Sequence, residues 1–210
     1  MSIFISSLML SNQKGGNGMQ IEALTPARAG DFFGFFEGAA FCDHPDWAAC
    51  YCLEGYLDRE ENRALYRAGQ RARRLRAAKM IEEGAMHGYL AYAGGRAVGW
   101  CNAGPRGDYR RLSIYEGLIK SEDEGQNIWS AVCFCIAPPF RSQGVATALL
   151  RHVCVEAKKR GAQWVEGYPN RGAKDCYEHY HGPKELYLKC GFSADRELEG
   201  ITVMRRRMEG

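Results

Sequence analysis

The 210-residue sequence has little net charge: 28 basic and 25 acidic side chains leave +3, too small to mark a nucleic-acid surface by itself. It lacks any window of ~18 or more consecutive apolar residues, the length a membrane span requires. Two phosphate signatures are also missing. There is no G-x-x-x-x-G-K-[ST] run for a nucleoside-triphosphate loop and no G-x-G-x-x-G after a strand for a dinucleotide fold. The opening MSIFISSLMLSNQKGG has no basic leader and no Ala-x-Ala-like exit, which makes it a poor secretory signal. The nine cysteines are odd in number, and Cys133, Cys135 and Cys154 sit inside apolar runs, where a free thiol behaves as a small hydrophobe. Reduced thiols and a cytoplasmic location are the expectation.

What is present is ordinary globular composition, 46% hydrophobic and 25% charged. Residues 1–18 end in a polar Gly/Asn stretch and read as a flexible extension, leaving 19–210 as a single domain. MQIEAL from Met19 is strand-like, and Thr25-Pro26 opens a helix through DFFGFFEGAAF. The segment CDHPDWAACYCLEGY reads as a proline turn and then a strand. One long helical region follows Asp58, in which Arg71, Arg73, Arg74 and Arg76 read as a solvated charged face.

GYLAYA and RAVGWCN flank Gly94-Gly95 and predict a hairpin, because glycine reaches positive φ without a Cβ clash. IWSAVCFCIA is the most hydrophobic run and, lacking alternation, predicts a central strand covered on both faces. After Pro138-Pro139, GVATALLRHVCVEAKKRG places Val145, Leu149 and Val153 on one stripe of an amphipathic helix ended by Gly161. QWVEGYP then supplies a strand, so strand, helix and strand form a parallel crossover. PKELYLKC predicts a short helix, and the tail a final pair of strands.

Between the buried strand and the amphipathic helix lies Arg141-Ser142-Gln143-Gly144-Val145-Ala146. A glycine and small residues at a helix start leave backbone N–H groups approachable, and the helix dipole favours an anion such as a pyrophosphate there. With Cys135-Ile136-Ala137-Pro138 before this R-x-x-G-x-A segment and Leu186-Tyr187-Leu188-Lys189-Cys190-Gly191-Phe192 after it, the sequence resembles the GNAT superfamily of acyl-CoA-dependent N-acetyltransferases, in an uncharacterised bacterial branch. The resemblance covers roughly residues 86–208.

It implies a mixed α/β fold: a mostly antiparallel central sheet flanked by helices, with two central parallel strands splayed for CoA. It also implies acetyl transfer from acetyl-CoA to a primary amine, with no metal. Backbone groups of Phe134, Cys135 and Ile136 would then pair with the thioester oxygen and the pantetheine arm. The amides of Arg141, Ser142, Gln143, Gly144, Val145 and Ala146 would hold the pyrophosphate. By the same resemblance Tyr187 is the general acid, and Glu166 is the candidate base. Glu54, Glu116 and His181 are alternatives for that base. The family often has a cofactor-contacting asparagine about seven residues before the tyrosine; here that position is Tyr180, and Asn170 is the substitute. Trp47, Tyr51, Trp100, Tyr109 and Tyr115 are equally readable as acceptor-pocket lining or as core.

Other readings stand beside this one. A catalytically inactive CoA-binding regulatory module would keep the groove and lose transfer. Cys42, His44, Cys50 and Cys52 form C-x-H and C-x-C, whose spacing departs from common zinc pairs. Neither a membrane nor a nucleic acid is expected as a partner, although Arg205-Arg206-Arg207 and the arginine-rich helix would be the footing for the latter. The oligomeric state stays open between monomer and homodimer.

Overall fold

The computed structural model describes residues 19–175 and 178–209; the predicted extension 1–18 lies outside the described residues. Its strands are β1 (Gln20–Ala23), β2 (Tyr89–Ala93), β3 (Arg96–Pro105), β4 (Ile128–Ile136), β5 (Trp164–Gly167), β6 (Ser193–Leu198) and β7 (Ile201–Arg207). The helices are α1 (Ala29–Glu37), α2 (Arg59–Ala68), α3 (Gln70–Glu82), α4 (Val145–Lys159) and α5 (Lys184–Lys189). All seven strands join one sheet in the order β1-β2-β3-β4-β5-β7-β6, and only β4 and β5 run parallel. This is the mixed, mostly antiparallel architecture expected from sequence.

Local chemistry explains the elements. Gly94 and Gly95 turn the β2–β3 hairpin at φ 56° and 75°. Asp58 caps α2 by accepting from the N–H groups of Glu60 and Glu61, while Glu61 reaches back to the Asp58 N–H. Helices cover both faces of the sheet. On one face Phe32, Phe36, Leu57, Met80 and Ile81 pack around Trp100. On the other, Leu149, Leu150 and Val153 of α4 pack with Val98, Ala131 and Tyr187. Burying each such side chain contributes about 1.5–3 kcal/mol, and β4, sandwiched between the two cores, is held from both sides.

Three expectations are corrected. The apolar run after Trp47 is a series of turns, because Tyr51 and Cys52 take left-handed φ of 42° and 50° that no strand accommodates. The helical stretch after Asp58 is two helices, broken at Gly69 with φ 86°. Arg73 is buried rather than solvated. Its Nε donates to the Ala49 carbonyl at 2.6 Å, Nη2 to the Cys50 carbonyl at 2.9 Å and Nη1 to Asn62 at 3.2 Å. The guanidinium thereby satisfies turn carbonyls that no strand partner could reach.

Candidate active site

β4 and β5 pair from Ile128↔Trp164 to Ala131↔Gly167, where β5 ends while β4 runs on to Ile136. Here the expected splay opens. Its inner end is occupied by the 180–181 segment, which lies along the β4 edge: the Phe134 N–H donates to the Tyr180 carbonyl at 2.7 Å. His181 Nδ1 meets the Val132 carbonyl at 2.5 Å, a contact that requires the proton on Nδ1. Burial pushes the His181 imidazole down to about 4, against a smaller upward pull from that carbonyl.

Tyr187 stands at the fork itself. Its ring lies flat against Gly167, where an added Cβ would come within 1.9 Å of Cε1, so only glycine admits it. Its hydroxyl donates to the His181 carbonyl at 2.5 Å and lies 3.5 Å from the carbonyl of Ala131, the last β4 residue paired with β5. The phenol is fully buried, and burial raises its pKa well above the ordinary value.

The loop from β4 to α4 has the form expected of an anion cradle. Ser142 and Gly144 are both left-handed, at φ 60° and 83°, and Gly144 is the N-cap of α4 with no side-chain cap. The Ala148 N–H donates to the Gly144 carbonyl, so the N–H groups of Val145, Ala146 and Thr147 have no acceptor within the helix. A Cβ at Gly144 would meet nothing within 4 Å, whereas Val145 is buried with its Cγ1 near Gly99. The loop thus anchors one side and opens the other, which fits a diphosphate. Gln143 donates to the Pro139 carbonyl at 2.6 Å, and Arg141 Nε to the Ile136 carbonyl at 3.1 Å. Arg141 also pairs with Asp43 at 2.5 Å and holds that carboxyl below its ordinary range. Asn170 Nδ2 donates to the Glu178 carbonyl at 2.5 Å, so its amide braces the following loop in this arrangement.

Glu166 takes a different position from a base facing an open groove. Its side chain is wholly buried, paired with Arg205 Nε at 2.8 Å and Arg106 Nη1 at 3.3 Å, and it accepts from the Tyr168 hydroxyl at 2.9 Å. Asp123 bridges the same two guanidiniums at 2.8 and 2.6 Å. Burial raises the Asp123 carboxyl, but Arg106 and Arg205 outweigh it and hold the pKa down. Buried between two guanidiniums, this carboxylate is directed at Arg106 and Arg205 rather than at an open groove. Arg205 and Arg206 are likewise used internally, Arg206 on the Cys190 carbonyl at 2.8 Å.

Along the other face of β4 lie two adjoining cavities of about 400 and 80 Å³. Cys50, Glu54, Cys133 and Tyr180 line both. Glu54 meets Arg111 at 3.4 Å, and its side chain is 44% exposed. Of the aromatics singled out in the sequence, Trp47 lines the larger cavity and Tyr115 the smaller, whereas Tyr51, Trp100 and Tyr109 are core. Glu116 lines a separate cleft with Arg59 and Glu199. Burial raises the Cys52 thiol, yet its polar neighbours Cys133, Trp100 and Asn102, the last donating to it at 3.3 Å, outweigh burial and lower its pKa. His44 stacks on Trp47 with ring centroids 3.9 Å apart. Among the described residues no three His, Cys, Asp or Glu side chains gather as a metal-holding group.

Sequence reasoning ranked Glu54 as one alternative among several, and nothing in the pattern placed the Tyr180 carbonyl on β4. Glu54 reaches the cavity only because the left-handed turn at Tyr51 and Cys52 redirects the chain just before it.

A parallel fork within an antiparallel sheet, with an anion cradle at its open end, defines the acyltransferases that draw on a coenzyme A thioester. The family model described as "Acetyltransferase (GNAT) family" matches residues 47–182, more than half the chain, and the chain belongs to that family. It is an acyltransferase with acetyl-CoA as cosubstrate.

Solved structures share the fold. PaiA N-acetyltransferase from Thermoplasma acidophilum, in complex with coenzyme A, is 13% identical with a TM-score of 0.52, covering 90% of this chain and 99% of its own. The GNAT domain of S. lividans PAT is 12% identical with a TM-score of 0.53 and 90% coverage of both chains. An aminoglycoside N-acetyltransferase in complex with CoA is 16% identical with a TM-score of 0.51, covering 87% of this chain and 93% of its own. No curated protein sequence matches the chain. Among the described residues no helix is long and apolar enough to cross a membrane.

Proposed function

We propose that residues 19–210 act as one N-acetyltransferase domain that moves an acetyl group from acetyl-CoA to a primary amine. The observation that carries this is the β4–α4 loop, whose left-handed Gly144 opens an uncapped helix N-terminus beside the β4–β5 fork.

In this reading the N–H groups of Val145, Ala146 and Thr147 hold the diphosphate, and Ser142 to Gly144 shape the bend that exposes them. The edge of β4 from Phe134 to Ile136, beyond its pairing with β5, aligns the pantetheine arm, and the Phe134 N–H polarises the thioester carbonyl once the Tyr180 carbonyl leaves it. Holding amine and thioester together removes much of a bimolecular entropy cost. The cosubstrate supplies an activated acyl group. Glu54, exposed in the cavity that Phe134 also lines, takes the ammonium proton directly or through water, the role the sequence assigned to Glu166. Tyr187 is sited at the fork to return a proton to the departing thiolate, releasing its bond to the His181 carbonyl as it does so.

The test is calorimetric titration with CoA and thiol release from acetyl-CoA over a panel of amines. Gly144→Ala is expected to weaken CoA at least tenfold, because alanine resists a φ of 83°. Glu54→Gln is expected to lower kcat by about 10²-fold or more, with CoA affinity unchanged. Absence of CoA binding by folded protein would refute the proposal. Binding without turnover on any amine would favour the inactive regulatory module instead.

A further inference from the structure

The 400 Å³ cavity beside β4 has an unusual lining. Phe41, Trp47, Tyr66 and Tyr180 supply aromatic walls, and Asp46 and Glu54 supply two carboxylates. Among the described residues the one cation in the lining, Arg141, is paired with Asp43 and the Ile136 carbonyl, and no Ser, Thr, Asn, Gln or His side chain lines this cavity.

These facts discriminate between acceptors. A polyhydroxylated amine would enter with many hydroxyls and find few side-chain partners, and each hydroxyl left buried and unpaired weakens its binding. A long polycation would meet only two carboxylates, one of them already shared with Arg111. A ring-bearing monoamine loses nothing on either count. Its ring packs against aromatic faces, and its ammonium is drawn both to those faces and to Glu54. Glu54 lies where the cavity joins the smaller pocket along Cys133, so an ammonium held there is next to the residue preceding Phe134. The volume is at the small end of ligand pockets, which run to roughly 300–1,000 Å³, and since Phe134, Cys135 and Ile136 also line it, the pantetheine end of the cosubstrate takes part of that space. One ring system on a short arm fits that space.

We infer that the acceptor is a primary monoamine on a flat, apolar, ring-bearing body, bound with its ring among Trp47, Tyr66 and Tyr180 and its nitrogen at Glu54. This deepens the acetyl-transfer reading and rests on it.

The test uses the full chain with acetyl-CoA and four probes: phenethylamine, spermidine, kanamycin and a lysine-containing peptide. The expected result is a kcat/KM for phenethylamine at least a hundredfold above the other three. Trp47→Ala is expected to raise the KM for phenethylamine about tenfold and leave the KM for acetyl-CoA unchanged. Should that variant fold poorly, Tyr66→Ala at a half-exposed position gives the same readout. Calorimetry of phenethylamine into CoA-saturated protein should show binding that weakens in either variant. Turnover confined to spermidine, kanamycin or the peptide would overturn the ring-bearing class and leave acetyl transfer standing. Turnover of no amine, with no heat from CoA, would overturn both.

Discussion

His181 offers a sharp test of how the fork is held. The imidazole is buried, with Nδ1 on the Val132 carbonyl and the rings of Tyr168 and Tyr180 beside it. Burial pushes both tyrosines' pKa values upward, so both phenols are neutral and neither compensates a charge on the ring. Burial depresses His181 from 6.5 to about 4, which means the folded molecule refuses a proton that the unfolded chain accepts. As pH falls from 6.5 toward 4, the unfolded state is therefore favoured, and the loss levels out below about 4. Each pH unit in this window is worth about 1.4 kcal/mol, so the full loss is about 3 kcal/mol. Urea unfolding at pH 7, 6, 5 and 4.5, compared between the natural protein and His181→Asn, isolates the effect, since asparagine keeps a donor near Nδ1 and does not titrate. The natural protein should lose stability relative to the variant by about 2 kcal/mol at pH 4.5. Parallel pH curves for the two proteins would refute the reasoning.

Three more outcomes follow from packing. Glu166→Gln leaves Arg106 and Arg205 with Asp123 alone and should cost about 3–5 kcal/mol in urea unfolding; the folded fraction should keep its specific activity, and a selective loss of kcat would return the base to Glu166. Gly167→Ala drives a methyl into the Tyr187 ring and should lower stability by several kcal/mol, or about 1–3 kcal/mol if the ring shifts, with the melting temperature as readout. Arg73→Met deprives the Ala49 and Cys50 carbonyls of their donor and should cost about 2–4 kcal/mol, while a solvated arginine would cost almost nothing.

The elements governed by a regular period were readable in advance. The Gly94-Gly95 hairpin, the doubly covered β4, the amphipathic α4 and the parallel crossover to β5 all follow from side-chain spacing and turn residues. What escaped was chemistry between residues distant in sequence. A run such as AACYCLEGY carries strand-like composition, but the buried Arg73 guanidinium, over twenty positions later, claims its carbonyls and fixes a left-handed turn. Glu166 looked like a strand-end carboxylate because nothing local announces Arg106 and Arg205 on either side. The bend from Arg141 to Ala146 that opens α4 was legible because its geometry is backbone-driven and local. Glu54 stood only among the alternatives for the base, since its place depends on that same turn.

The bond between the Phe134 amide and the Tyr180 carbonyl has a kinetic meaning. If an acyl oxygen takes that amide, the chain's own carbonyl has to be evicted, so loading becomes an exchange of one oxygen for another rather than the filling of a gap. Tyr180 also lines the cavity proposed for the acceptor, so eviction would reshape the wall against which the amine is proposed to rest. Cosubstrate arrival and acceptor fit are then mechanically linked through one residue, an arrangement that favours ordered addition with the thioester entering before the amine.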